Sequence, residues 1–171
     1  MTTFLYPTFP RVFKNVEVLI AAMRLIKHDS ARLELTFSGE ENGYAREMAR
    51  SAAGLSSVHF IGPQKHSDLM ASLPMYDALV FPSKLETWGL PMSEFRDLGK
   101  PIFASNLPFA HETLSGYKHA CFFDPNDPVR LAGLLRDFAM DGRFVPTPVV
   151  IDYAQPFAAN WTELYRLIGI E

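Results

Sequence analysis

The stretch YDALVFPSKLETWGLPMSE, residues 76 to 94, changes character twice. Its first part is a short apolar run, Gly89 and Pro91 then interrupt, and the residues beyond resume a helical pattern. Proline suits the first turn of a helix, because the amide hydrogen it lacks is one that the helix would leave unpaired. A strand ending at Ser83, a loop, and a helix starting near Leu90 are therefore predicted. Had one helix run through the segment, Glu86 and Glu94 would lie about 12 Å apart along its axis, too far to share a proton or a metal. The break separates their tasks. Glu86 falls in the loop at the strand's carboxyl end and Glu94 one turn into the helix, where they address different parts of one ligand. Gly89 lets the backbone come close to that ligand. The unpaired amides of Gly89 and Leu90 would point at an anion with the helix dipole behind them, which describes a diphosphate cradle. The plain alternative, a helix start with two solvated acids, has the same spacing.

Outward from this unit, short apolar runs alternate with helical patterns along the chain. TTFLYPTF precedes KNVEVLIAAMRLIKHD, in which Val16, Leu19, Ile20, Met23 and Ile26 keep helical spacing. The alternation returns in ARLELTFSG, EENGYAREMARSAAG, SVHFIG, HSDLMASL, PMSEFRDLG, PIFAS, FAHETLS and HACFFD, then in a helix from Pro128 to Met140. Six strand–helix units of this kind predict an α/β domain of Rossmann-like type: a parallel sheet of about six strands flanked by helices, with ligands at the carboxyl ends of the strands. Gly142 to Pro156 is rich in proline and has no clear period, whereas FAANWTELYRLIG reads as a final amphipathic helix. No internal repeat or low-complexity tract interrupts the pattern.

Composition narrows the functional classes. With 171 residues and an apolar share of 48%, the chain fits one domain with a substantial core. A formal charge of -3 and a pI near 5.9 give no electrostatic footprint for nucleic acid. No apolar run reaches the length of a membrane span and no export signal opens the chain, so a cytoplasmic protein is expected. The one cysteine, Cys121, rules out an internal disulfide and cysteine metal sites, and its apolar surroundings in HACFFD place it in the core. Two standard phosphate signatures fail. In DLGKP the position five before Gly99 is Glu94 and Pro101 follows the lysine, so it is no Walker loop, and SGEENG is not GxGxxG.

The run FPSKLETWGLPMSEFRDLGKPIFASN resembles the donor-site segment of retaining nucleotide-sugar glycosyltransferases of family 4, with their Glu-x7-Glu motif and Gly-Leu-Pro. RVFKN resembles that family's Arg-and-Lys-Gly/Asn segment, FSGEENG its second glycine loop, and VHFIGPQKHSDLMASLPMYDALVFPS its Gly-x6-Leu run into the fourth strand. The resemblance runs from about Phe4 to Leu167, with the motifs in order. It implies one half of a GT-B fold. Residues 1–171 would form a single carboxyl-terminal donor-binding domain, with the amino-terminal acceptor domain absent from this chain, which would then be a fragment of a larger enzyme.

Roles carry over position by position. Lys14, and Arg11 as its partner, correspond to cations that neutralise the donor diphosphate, although Phe9 and Pro10 stand where the family's arginine usually lies. Such cations and helix-start amides stabilise a diphosphate leaving group without a metal. Glu86 corresponds to the catalytic glutamate facing the transferred sugar, and Glu94 to the acceptor for ribose hydroxyls. Gly39, Thr87, Trp88, Gly89 and Leu90 complete the implied donor site; Thr87 replaces a common glycine and Trp88 a common phenylalanine, narrowing the sugar pocket. No cofactor or metal is implied beyond a nucleoside-diphosphate sugar as donor substrate. The acceptor would be a glycan or a lipid-linked acceptor held by the missing half, which leaves room for peripheral membrane association of the full-length protein.

Other polar residues read plainly. His59 is taken as a satisfied core histidine, His66 and Asp68 as the start of a helix with Ser67 as its capping candidate, and His111 and Glu112 either as surface helix residues or as residues approaching the sugar from a neighbouring loop. The expected function is therefore the donor-binding half of a retaining glycosyltransferase in polysaccharide or glycoconjugate biosynthesis, inactive in transfer when isolated. Two alternatives stand beside it: half of a nucleotide-sugar 2-epimerase of the same architecture, and a non-catalytic nucleotide-binding or interaction domain.

Overall fold

The computed structural model describes residues 1–26, 30–152 and 158–169. Six strands, β1 (Thr2–Tyr6), β2 (Ala31–Leu35), β3 (Val58–Phe60), β4 (Ala78–Phe81), β5 (Ile102–Ser105) and β6 (Ala120–Phe123), form one parallel sheet in the order β3-β2-β1-β4-β5-β6. The helices are α1 (Val16–Leu25), α2 (Gly43–Ser51), α3 (His66–Ser72), α4 (Leu90–Asp97), α5 (Pro108–Thr113), α6 (Pro128–Asp141) and α7 (Trp161–Leu167). Successive crossovers run one way from β1 to β3 and the other way from β4 to β6. Parallel connections are right-handed, so this reversal puts helices on both faces and opens a crevice between the carboxyl ends of β1 and β4. The predicted α/β architecture and strand count are found.

The central strands read as continuous apolar runs because both their faces are covered: every residue of β4 and β5 is buried. Phe4 of β1 meets Phe103 of β5 with ring centroids 6.0 Å apart, and Phe103 meets Phe138 of α6 and Phe144 at 5.6 and 5.2 Å. Full burial of each such ring stabilises the fold by about 1.5–3 kcal/mol. Phe144 belongs to the proline-rich segment, which is irregular yet anchored. The Thr147 amide donates to Ala120 O at 2.8 Å, and the Phe122 amide donates to Thr147 Oγ1 at 2.8 Å, covering the edge strand β6.

Four expectations shift. Helix α1 stops at Leu25, and the Lys27–Asp29 part of the expected helix lies outside the described residues. Ser67 does not cap α3: Lys65 holds the cap position, and the Ser67 hydroxyl donates to the Asp68 side chain at 3.2 Å. A neighbouring carboxylate is the stronger acceptor for that hydroxyl, and Ser67 already lies inside the helix. His59 is half-buried and not a fully enclosed core residue. The final helix is shorter than predicted, Trp161–Leu167, with the Asn160 side chain accepting the Glu163 amide at 3.0 Å as its cap; Phe157 lies outside the described residues. Trp161 and Tyr165 are exposed, with their rings 6.0 Å apart. Among the described residues no helix is long and apolar enough to cross a membrane.

Candidate functional site

Two loops frame the crevice where the strand order reverses, one after β1 and one after β4. The first passes through a 3-10 turn, Val12–Lys14, before α1 begins at Val16, so Lys14 stands just ahead of the helix and not within it. Its backbone is fixed by Tyr6, whose hydroxyl donates to Lys14 O at 3.0 Å. Burial pushes the Tyr6 phenol far above its ordinary range, which keeps it a proton donor. The second loop is tied to the first: the Lys84 amide and the Ser83 hydroxyl both donate to Phe13 O, at 2.8 and 3.2 Å.

These ties bring Lys14 and Glu86 together. Lys14 Nζ donates to Glu86 Oε1, with both side chains largely screened from solvent and the ammonium 5.5 and 5.9 Å from the ring centroids of Phe13 and Phe81. Beyond Glu86, Gly89 takes φ 84 at the cap of α4, a conformation that L side chains rarely adopt. A Cβ there would sit 2.5 Å from Met92 Cε and 3.4 Å from the Phe81 ring. The amides of Gly89 and Leu90 meet no acceptor among the described residues. Pro91 occupies the first turn of α4, as its chemistry predicts.

Glu94 lies one turn further along, on the wall of a cavity of about 350 Å³. The same cavity is lined by Thr8 and Phe9 after β1, Thr36 after β2, Gln64 and His66 after β3, and Leu90 at the start of α4. His66 Nε2 lies 3.3 Å from Glu94 Oε1. The loops after β1 and β2 are tied by a reciprocal pair, in which the Thr8 amide donates to Thr36 Oγ1 at 2.8 Å and that hydroxyl donates to Thr8 O at 3.1 Å. A concave site with apolar walls, two threonine hydroxyls, an amide and a carboxylate is suited to a flat heterocycle bearing a diol.

The other proposed site residues divide. Arg11 is exposed, with its guanidinium 5.2 Å from the centroid of the Phe9 ring, on the same loop as Lys14. Thr87 is exposed. Trp88 is half-exposed, its Nε1 donating to Ser93 Oγ at 2.8 Å while its carbonyl accepts from the Thr113 hydroxyl. Gly39 lines a different cavity, with Ser38, Glu40 and Arg46, and its amide donates to the Glu41 carboxylate at 3.0 Å. His111 Nε2 donates to Asn106 Oδ1 at 2.7 Å, and its ring meets Phe122 edge-on at 4.6 Å. Burial lowers the His111 pKa.

Sequence reasoning passed over Thr8, Thr36, Gln64 and His66 as site residues. The signal that would have found them is positional: each follows a strand at its carboxyl end, where open parallel sheets bind ligands.

Known proteins resemble this chain in sequence and in fold. The family model "Glycosyl transferases group 1" matches residues 4–149. Glycogen synthase of Mycobacterium tuberculosis is 29% identical over 130 residues, covering 75% of this chain and 31% of that protein. The chain thus spans about a third of the length of the curated relatives it matches. Among solved structures, sucrose-phosphate synthase from Thermosynechococcus elongatus superposes with a TM-score of 0.69 at 25% identity, covering 82% of this chain and 36% of that one. Anabaena HepE in complex with UDP superposes with a TM-score of 0.68 at 21% identity, covering 82% of this chain and 40% of that one.

Proposed function

The chain belongs to the glycosyl transferases of group 1, and from that premise we propose that it is the donor-binding half of a retaining glycosyltransferase acting on a nucleoside-diphosphate sugar. The observation that carries this reading is the juxtaposition at the strand reversal. Lys14 meets Glu86 beside an α4 start with unmatched amides, and Glu94 stands one turn away on the wall of a nucleoside-sized cavity.

The roles follow from charge and position. The base and ribose occupy the cavity, with Glu94 accepting from the ribose hydroxyls and His66 beside it. The diphosphate lies toward the Gly89 and Leu90 amides and Lys14, whose ammonium exchanges part of its contact with Glu86 for phosphate oxygens. As the glycosidic bond breaks, the leaving diphosphate gains negative charge, and fixed amides and an ammonium stabilise it without reorganising. Glu86 then faces the sugar, binding its hydroxyls and supporting positive charge at the anomeric carbon. This positive field is supplied without a divalent cation, and among the described residues no three His, Cys, Asp or Glu side chains gather as a metal site.

The sugar goes to a glycan or a lipid-linked acceptor positioned by an acceptor half. Holding two reactants together can supply about 7–11 kcal/mol of a barrier, so these 171 residues bind donor but transfer no sugar alone. Isothermal titration with UDP, GDP and ADP in EDTA tests the binding, with UDP first because HepE was solved with it. Micromolar to millimolar binding of one diphosphate is expected; binding only with added metal would overturn the cradle. Transfer by this chain alone would overturn the half-enzyme reading.

A further inference from the structure

Asn15 is the residue at the turn from the Lys14 loop into α1, and it is 2% exposed. Its backbone is left-handed, φ 55 and ψ 43, and among the described residues it is the one non-glycine with positive φ. Asparagine tolerates this region better than most residues. It also occupies the cap position of α1, where an asparagine oxygen ordinarily accepts an amide from the first turn. Here it makes no such bond. Instead Nδ2 donates twice, to Pro82 O at 3.1 Å and to Pro125 O at 2.8 Å. Those carbonyls follow β4 and β6, so one buried amide joins the loop after β1 to two others that are distant in sequence.

We infer that Asn15 is a positioning residue: its carboxamide ties the Lys14 loop to the loops after β4 and β6, presetting Lys14 against Glu86 before donor binds. A role as an ordinary cap is not supported, because no amide of the first turn of α1 donates to the Asn15 side chain. The geometry of the tie is specific. Both hydrogens of one NH₂ group are used, and both acceptors are carbonyls of proline residues whose rings hold the local backbone. Pro82 immediately precedes Ser83 and Lys84, which bond to Phe13 O, so the tie adds to the contacts that join the Lys14 loop to the loop carrying Glu86.

Two substitutions separate this role from simple support of the fold. Asn15→Gly keeps the left-handed backbone and removes both donors; Asn15→Asp keeps the shape but turns a carboxylate toward two carbonyls. The first readout is amine labelling of Lys14 followed by mass spectrometry, with Lys118 as an internal reference. Each variant is expected to raise the Lys14 labelling rate at least threefold relative to Lys118, under conditions where the protein remains folded by circular dichroism. Unchanged relative labelling in Asn15→Gly would overturn the inference; should Asn15→Asp unfold, Asn15→Gly alone decides. The second readout rests on the donor-site reading above: UDP affinity should fall at least fivefold while uridine affinity changes less than twofold. Equal losses for both ligands would overturn the positioning role. If Lys14 labelling rises but the unmodified chain binds no nucleoside diphosphate, the tie stands and the donor-site reading falls.

Discussion

Two loops of this molecule present a glycine and a row of backbone amides after a strand, and they end differently. After β4, Gly89 opens α4, and its amide and that of Leu90 meet no acceptor among the described residues. After β2, the amides of Ser38, Gly39 and Glu40 all donate to one carboxylate, that of Glu41, with the latter two bonds at 3.0 and 3.1 Å. A side chain of the loop itself thus takes the place that an anionic ligand would take. Both glycines have positive φ, 84 at Gly89 and 93 at Gly39, and both are packed closely enough that a Cβ would collide. Glycine after a strand therefore reports a tight backbone. Whether that backbone can bind depends on whether the chain has already satisfied it.

The sharpest way to break this comparison is to remove the cation beside the open loop. Lys14→Ala should weaken nucleoside diphosphate binding by about tenfold to a hundredfold, the loss of one or two hydrogen bonds to a charged group at about 1.5–3 kcal/mol. Nucleoside binding should hold within twofold, since the base and ribose are assigned to the cavity around Glu94. Parallel titrations with UDP and uridine decide it, and equal weakening would move the diphosphate away from Lys14. Glu94→Ala is the complement: it should weaken both ligands by a similar factor, about fivefold to thirtyfold for lost bonds to ribose hydroxyls. A loss confined to the diphosphate would contradict that assignment.

Next in size is a change to the backbone itself. Gly89→Ala forces a Cβ onto a left-handed residue against Met92 and Phe81, and should cost about 1–3 kcal/mol of stability. The Met92 terminus can swing aside, but the Phe81 ring belongs to a buried strand. Urea unfolding should therefore show a lower midpoint with an unchanged slope. A neutral result would mean that the α4 start can relax, and with it the proposed amide cradle.

Much of the open loop was legible in the sequence because its signals are local. The apolar run through Phe81, the glycine at 89 and the proline at 91 fix strand, turn and helix within a few residues, which sets the stations of Glu86 and Glu94. The pairings are another matter. Lys14 and Glu86, His66 and Glu94, and Asn15 and Pro125 are far apart in the chain, and they meet only because β1 pairs with β4 and the loops after β3 and β6 turn toward that seam. Nor could spacing show that Glu41 folds back on its own loop. The implied donor role of Gly39 rests on resemblance, whereas its amide is bonded to that carboxylate and it lines a cavity distinct from that of Glu94.

The smallest expected effect tests the closed loop. Burial alone would push the Glu41 carboxyl up, but the amide donors of Ser38 and Gly39 outweigh it, and its pKa falls below the ordinary carboxylate range. A group whose pKa is depressed in the folded state adds stability above its unfolded pKa and loses it as pH falls through the folded value. Wild type should therefore be slightly more stable than Glu41→Gln at pH 7, and the gap should close on acidification below the usual carboxylate range. The effect is small because Ser38 and Glu40 are solvent-exposed and water competes for their amides. Urea midpoints of both proteins at pH 7 and pH 3 measure it. At pH 7 the variant should bind nucleoside diphosphate as wild type does, since the clasp and the proposed donor cavity are separate. A gap that widens in acid would deny the clasp its charge. An altered diphosphate affinity would join the two loops functionally and end the contrast between them.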